Sequence, residues 1–424
     1  MPSDKDKNLN PEEPEEKKYS FLQETIKSKP ISRQQFLKQF VRIAVYGVIL
    51  GAFACLGFFA LKPWMQDIFR GDLETVTIPE DEEPAEDAAA GRAEEEPAVQ
   101  VPDADNYEQM MSSMNERAAE AQKGLAVVEP VLPGETPGEN PAGTGRSVTG
   151  AIIADNGQEL LILADDSASE GSSEWTVTFE DGKSYTAALK KRDANSGLAV
   201  FSVPRNRITD DTWAKVKVSV LGNSNLANQG DVVMALGNMF GYPDGVGYGI
   251  LRSTEQKAEF YDGECDVLAT DMAAETGGTG VLFNMDGEVI GMVSTSIWDA
   301  EAHLVNAYAV SDLKPTIEIL ANGESVPYIG IYGTTVTPTL KEEQGMPSGV
   351  YVVDVDPDSP AMEAGIQSGD IICQIDGKDV GSIVTYQSAV LETKTGRVIR
   401  LKGQRRGADG YVEVDFTVTV GSKE

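Results

Sequence analysis

The residues best suited to chemistry are gathered in Gly277-Gly278-Thr279-Gly280, a glycine-rich turn that carries one hydroxyl between the run Val267-Leu-Ala-Thr and a hairpin whose tip is Asp286-Gly287. Glycines let a backbone close around a single side chain, and Asp-Gly is a strong tight-turn signal. A hydroxyl presented in this way serves acyl transfer when an imidazole takes its proton and a carboxylate orients that imidazole. The chain holds one histidine, His303, and it follows the turn, in Trp298-Asp-Ala-Glu-Ala-His. Its neighbours lack metal-ligand spacing, so it reads as a surface-loop histidine, with neither a metal nor another cofactor expected. Asp165 and Asp166 are adjacent carboxylates and read as exposed loop acids rather than an acid pair. A threonine hydroxyl is a poor nucleophile without a neighbouring base. Lys257 is the lysine that folding could bring to Thr279.

The elements that must position these residues follow from composition and pattern. Lys and Arg number 35 against 68 Asp and Glu, a formal net charge of -33, which excludes nucleic acid as a partner because a phosphate backbone needs a cationic surface. Three cysteines do not make a disulfide framework; Cys265 and Cys373 read as free buried thiols, with a bridge between them left open, and Cys55 lies in an apolar run. Residues 1–41 form a polar cytoplasmic tail. Residues 43–61 run nineteen positions without a charge, the length of one helical bilayer crossing, so 42–62 is expected to be a transmembrane helix. Lys27, Lys29, Arg33, Lys38 and Arg42 precede it and only Lys62 and Arg70 follow closely, which places the N-terminus in the cytoplasm and the later domains outside the cell membrane. Residues 63–106 are expected to be an acidic disordered stalk, since positions 72–105 hold thirteen acidic residues against the single Arg92, too little apolar surface to offset ordering.

Residues 107–123 have helix-forming composition, with Gly124 a stop. From there short β-type runs follow at 125–131, 148–153, 160–163, 175–179, 185–189, 198–203, 216–221, 232–236, 249–251, 267–270, 281–283 and 289–293, parted by pairs such as Asn156-Gly157 and Asp181-Gly182. So many strands without a long helix between them mean a mainly β fold, a double barrel or a sandwich. Residues 314–320 offer a short closing helix.

Several spaced segments then match one family at once. Asp193-Ala-Asn-Ser-Gly-Leu-Ala-Val, Ala235-Leu-Gly-Asn-Met-Phe-Gly with Gly249-Ile-Leu after it, and Ala307-Tyr-Ala-Val-Ser-Asp-Leu-Lys-Pro resemble the protease domain of the HtrA/Deg family of trypsin-like serine proteases. Residues 326–420 resemble that family's PDZ domain. The resemblance implies a trypsin-like double β-barrel over 107–323 and a PDZ domain of α+β type over 326–420, preceded here by the transmembrane helix. Carried over position by position, it puts the base at Ser167 in Ile162-Leu-Ala-Asp-Asp-Ser-Ala, or at Asp166 if the gap falls one residue differently. It puts the orienting acid at Gly197 and the nucleophile at Thr279, in a turn one residue shorter than the family's. None of the three carries the family's residue. A pseudoprotease is therefore expected, with an active serine-type endopeptidase of envelope protein quality control as the alternative.

The second domain keeps its family's features. The resemblance assigns Tyr328, Ile329, Gly330 and Ile331 to the loop that receives a peptide's terminal carboxylate, where backbone N–H groups must approach the ligand closely. Tyr386, Ala389 and Val390 line one wall of the groove, with a pocket beside Ile331 for the last side chain. The expected partners are protein C-termini or unfolded polypeptide, bound as an added strand by a scaffold, sensor or adaptor. The family resemblance also implies a homotrimer.

Overall fold

A computed structural model of the chain describes residues 74–81, 104–131, 147–169, 171–275, 277–295 and 303–424. The tail at 1–41 and the expected span at 42–62 lie outside them. No helix among the described residues is long and apolar enough to cross a membrane.

Helix α1 (Ala104–Gln122) buries Met114, Ala118 and Ala121, spaced so that they share one face, and stops at Gly124. Strands β1 (Leu125–Pro130), β2 (Val148–Asp155), β3 (Glu159–Asp165), β4 (Trp175–Phe179), β5 (Ser184–Asp193) and β6 (Leu198–Pro204) close a barrel in the order β1-β2-β3-β6-β5-β4. A four-residue helix, α2 (Asp210–Trp213), leads to the second barrel. There β7 (Val232–Gly237), β8 (Val246–Phe260), β9 (Gly263–Ala273), β10 (Gly280–Phe283), β11 (Val289–Val293) and β12 (Leu304–Ala309) close in the order β10-β11-β12-β9-β8-β7.

The apolar run of β3 explains how the barrels meet. Side chains alternate across a strand: Leu160 and Ile162 fill the first barrel with Trp175 and Phe201. Leu161 and Leu163 face the other way and pack with Met234, Leu236, Val281 and Phe283 of the second. Both faces are covered, so the strand reads as continuously hydrophobic.

The strand expected at 216–221 does not form. Its backbone bonds go to different elements, Lys217 N to Lys123 O at 3.0 Å and Ser219 N to Ile152 O at 2.7 Å, with one isolated bridge from Leu221 to Val289. Val218 and Val220 are exposed, and only the ends of the stretch, Val216 and Leu221, pack on a core. Conversely, β8 and β9 run far beyond their expected apolar centres and pair out to Phe260 and Gly263. Many of the added residues are polar, as along residues 252–257, and an apolar pattern does not register them.

Helix α3 (Val310–Ala321) closes the second barrel and contains Pro315. Against it lies part of the expected stalk. Val76 N donates to Asn322 Oδ1 and Ile78 N to Glu318 Oε2, each at 2.9 Å, and Val76 and Ile78 pack on the core below. Residues 74–81 are thus docked rather than solvated, because two spaced apolar side chains and two polar partners on α3 satisfy them. Lys314 Nζ meets Asp81 Oδ1 at 2.5 Å with both side chains nearly buried. Asp81→Ala strands that ammonium, and urea denaturation is expected to show a loss of about 3 kcal/mol, the order found when one partner of a buried pair is removed.

The last domain is a sheet of β13 (Ile331–Thr335), β14 (Val350–Val355), β15 (Ile371–Ile375), β17 (Val398–Gly407) and β18 (Gly410–Thr419), with the two-residue β16 (Lys378–Asp379) beside β15. Its helices are α4 (Pro338–Gln344), α5 (Pro360–Glu363) and α6 (Ile383–Leu391), the last begun by a capping box at Ser382 and Thr385. Arg405 grips the buried Asp370 with two bonds of 2.6 and 2.7 Å, a bidentate pair that pins β17 to the turn before β15. Cys265 and Cys373 are free thiols in separate domains, and burial raises the pKa of each.

Candidate functional site

Ser167 and Gly197 lie close together, and Thr279 is linked to them through strands β10 and β11. Strand β3 ends at Asp165 opposite Leu198, and Asp166 N donates to Gly197 O at 3.0 Å, so Ser167 and Gly197 sit on neighbouring turns. Gly280 pairs with Val293, and the next residue, Ser294, donates to Asp165 Oδ2 at 2.6 Å. Thr279 is thereby tied to the same seam.

Ser167 is exposed. Gly197 adopts φ 72° and closes a turn that Asp193 organises from within. The buried Asp193 carboxylate accepts from Ser196 N at 3.1 Å and Ser196 Oγ at 2.6 Å, and burial raises its pKa against those bonds. Thr279 is 1% exposed. Its hydroxyl accepts from Thr149 N at 2.9 Å and donates to Asn238 Oδ1 at 3.1 Å, and Asn238 Oδ1 also takes Thr279 N at 2.7 Å. The hydroxyl is a structural bridge between β2 and the turn after β7. A cavity of about 330 Å³ opens between the barrels, lined by Leu125, Thr149, Phe179, Gly237 and Asp244 among others, and none of the three positions lines it.

Two expectations are corrected here. Asp165 is not an exposed loop acid: it is buried and accepts from Ser294 Oγ, Thr295 N and Ser167 N, donors enough to offset its desolvation. Lys257 does not approach Thr279. It sits on the β8–β9 hairpin between Glu264 and Asp266, 2.8 Å from each. Partial burial works to lower its pKa, but the hydrogen bonds it donates to those carboxylates hold it above the usual lysine range, so it is a cation and not a base. His303 is exposed at the start of β12 with φ 46°, and its carbonyl accepts from Ala274 N at 3.0 Å.

The loop at 328–331 is built and already holds a carboxylate. Ile329 N and Gly330 N donate to Asp262 Oδ2 at 2.6 and 2.7 Å, Ile331 N donates to Asp262 Oδ1 at 3.0 Å, and the Tyr386 hydroxyl reaches the same Oδ1 at 2.8 Å. Gly330 permits this with φ 93°, turning successive N–H groups toward one point. Burial pushes the Asp262 pKa up while these donors pull it down. Burial and then the Asp262 charge hold the Tyr386 phenol well above its ordinary range, so it acts as a donor. Tyr328 is fixed from outside by Asp356, which takes its hydroxyl, and by Tyr261, edge-on at 6.4 Å. Val390 is buried in the domain core rather than lining an open wall.

Asp262, Asn238 and Thr149 were not singled out by sequence reasoning. Asp262-Gly263 announces only a hairpin tip, and nothing local says which partner the tip meets. Asn238 lies inside a segment matched to the family as a whole, where its own bonds do not show.

Comparison with known proteins agrees with both domains. Residues 148–292 match the family model of the trypsin-like peptidase domain, and residues 327–416 match that of the PDZ domain. The chain is 30% identical over 280 residues to "Probable periplasmic serine endoprotease DegP-like" of Halomonas elongata, covering 64% of this chain and 56% of that protein. It is 27% identical to "Serine protease HTRA3" of Homo sapiens, covering 62% and 61%, and 28% identical to "Serine protease Do-like HtrB" of Bacillus subtilis, covering 61% and 60%. The chain therefore spans less than two thirds of these relatives' length. Among solved structures, "HtrA-type protease AlgW with tripeptide" aligns with TM-score 0.53 at 23% identity, over 73% of this chain and 97% of that one, a likeness of fold.

Proposed function

We propose that this chain, which joins a trypsin-like peptidase domain to a PDZ domain in the HtrA arrangement, is a membrane-anchored extracytoplasmic peptide-binding protein whose barrels no longer hydrolyse. It acts as a scaffold or sensor for exposed C-termini or misfolded segments. One observation carries the binding half: three consecutive backbone N–H groups at 329–331 converge on a single carboxylate, the way a terminal carboxylate is captured in a backbone nest. The Thr279 hydroxyl supports the other half, since its partners are a backbone amide and an asparagine, and neither takes a proton near neutral pH. The uncharged run at 43–61 supports the anchor.

The competing reading is an endopeptidase working through Thr279. It draws on the names of the relatives, which are serine proteases. Peptide binding tests the first half of the proposal. A dye-labelled random heptapeptide pool with free α-carboxylates is expected to bind the full-length chain, and the same pool amidated is not. Equal binding of both pools would remove the carboxylate loop from the account.

A further inference from the structure

The occupant of the 328–331 loop belongs to the chain itself. We propose that the Tyr261-Asp262-Gly263 tip is an internal ligand of the PDZ groove, with the Asp262 carboxylate standing in for a peptide's α-carboxylate, so that an external C-terminus binds only by displacing it. The inference rests on the reading of 328–331 as a C-terminal peptide site.

Several independent contacts make the tip resemble a bound peptide rather than a chance neighbour. Asp262 N donates to Ile331 O at 2.7 Å, a main-chain bond of the kind an added strand makes. Strand β13 stands at the end of its sheet, paired there with β14, so its other edge is the one the tip meets. On the opposite side Glu264 N donates to Gln387 Oε1 of α6 at 3.2 Å. The tip is therefore seated between β13 and α6, the two walls of a PDZ groove. Asp262 takes φ 62°, a left-handed conformation that aspartate tolerates better than most residues, and this aims its side chain into the loop. Tyr261 stacks edge-on with Tyr328 and Tyr332, and Lys423 Nζ lies 4.7 Å over its ring.

A second carboxylate has nowhere to go while the tip is in place. Ile329, Ile331 and Tyr386 are fully buried and Asp262 is 6% exposed, and all four donors facing the loop are taken by its two oxygens. Internal and external carboxylates are mutually exclusive. The tip also touches the barrel seam, because Asn195 of the 193–197 turn donates to Tyr261 O at 2.6 Å, a bond that is lost when the tip lifts.

Two measurements on the full-length chain test this. Amide hydrogen exchange should find Ile329, Gly330 and Ile331 protected in the wild type and exposed in Asp262→Gly, which removes the carboxylate and suits the backbone. In the same variant the free-carboxylate heptapeptide pool should bind about 10- to 100-fold more tightly, the gain expected when a site filled most of the time is vacated, and the amidated pool should not respond. Asp262→Asn, which keeps the shape and loses the charge, should fall between. Unprotected amides in the wild type would overturn the internal ligand while leaving peptide binding intact. Amides that lose protection in Asp262→Gly without tighter binding of the pool would overturn the competition. Absence of binding to the free-carboxylate pool in either form would defeat the peptide-site reading and this inference with it.

Discussion

Casein hydrolysis by the full-length chain is expected to be the same as that of Thr279→Ala, and both the same as buffer. In a triad enzyme, losing the nucleophile or the base alone lowers turnover by roughly 10⁶-fold. The oxyanion hole and binding leave on the order of 10³- to 10⁴-fold over water. On the proposed assignment of roles, the deficits fall on all three at once. Ser167 cannot take a proton near neutral pH, Gly197 has no side chain to orient a base, and the Thr279 hydroxyl is buried with both of its hydrogen-bonding functions in use. Freeing that hydroxyl costs the Thr149 amide its acceptor, a buried loss of about 1–3 kcal/mol. A wild-type rate even tenfold above Thr279→Ala would require a base beyond the Thr149 amide and Asn238 side chain that meet the hydroxyl among the described residues.

The second large effect falls on the PDZ loop. Gly330→Val is expected to abolish binding of the free-carboxylate heptapeptide pool, a loss beyond about 100-fold, and to lower stability in urea. Two causes add. The residue has φ 93°, and left-handed backbone costs a side-chain-bearing residue about 1–2 kcal/mol. A Cβ there would stand 2.4 Å from Ser359 Cβ and 2.7 Å from Ser359 Oγ, so the loop must move, and overpacking of this kind costs about 1–3 kcal/mol. Movement by a few tenths of an ångström spoils three convergent N–H bonds together. Gly345→Ala is the control: φ is 63° but nothing lies within 4 Å of its Cβ, so it should cost about 1 kcal/mol and leave binding untouched. Unimpaired binding by Gly330→Val would place the peptide site elsewhere.

The strands were legible in the sequence wherever burial and apolar pattern coincide, as in Leu160-Leu-Ile-Leu and Val289-Ile-Gly-Met-Val. They were not legible where pairing is carried by polar residues, as along residues 252–259 of β8, and the apolar pattern suggests a strand that does not form where valines face solvent, as at Val218 and Val220. The positions of the barrel site could be named from spaced motifs, because spacing reflects a fold's turns. Their partners could not, because Thr149, Asn238 and Thr279 meet only when two barrels close. Asp262 illustrates the same limit at longer range: it lies 67 residues from Ile329, and a hairpin tip gives no sign of what it touches. Asp165 misled for a related reason, since its donors Ser294 and Thr295 are 129 and 130 residues away.

The account turns on whether Thr279 can act as a nucleophile, and a covalent probe asks this without assuming a substrate. The full-length chain would be treated with a biotinylated fluorophosphonate and its intact mass and peptide map compared with Thr279→Ala. The account predicts an unshifted mass for both. A stoichiometric adduct on Thr279, absent from Thr279→Ala, would contradict it.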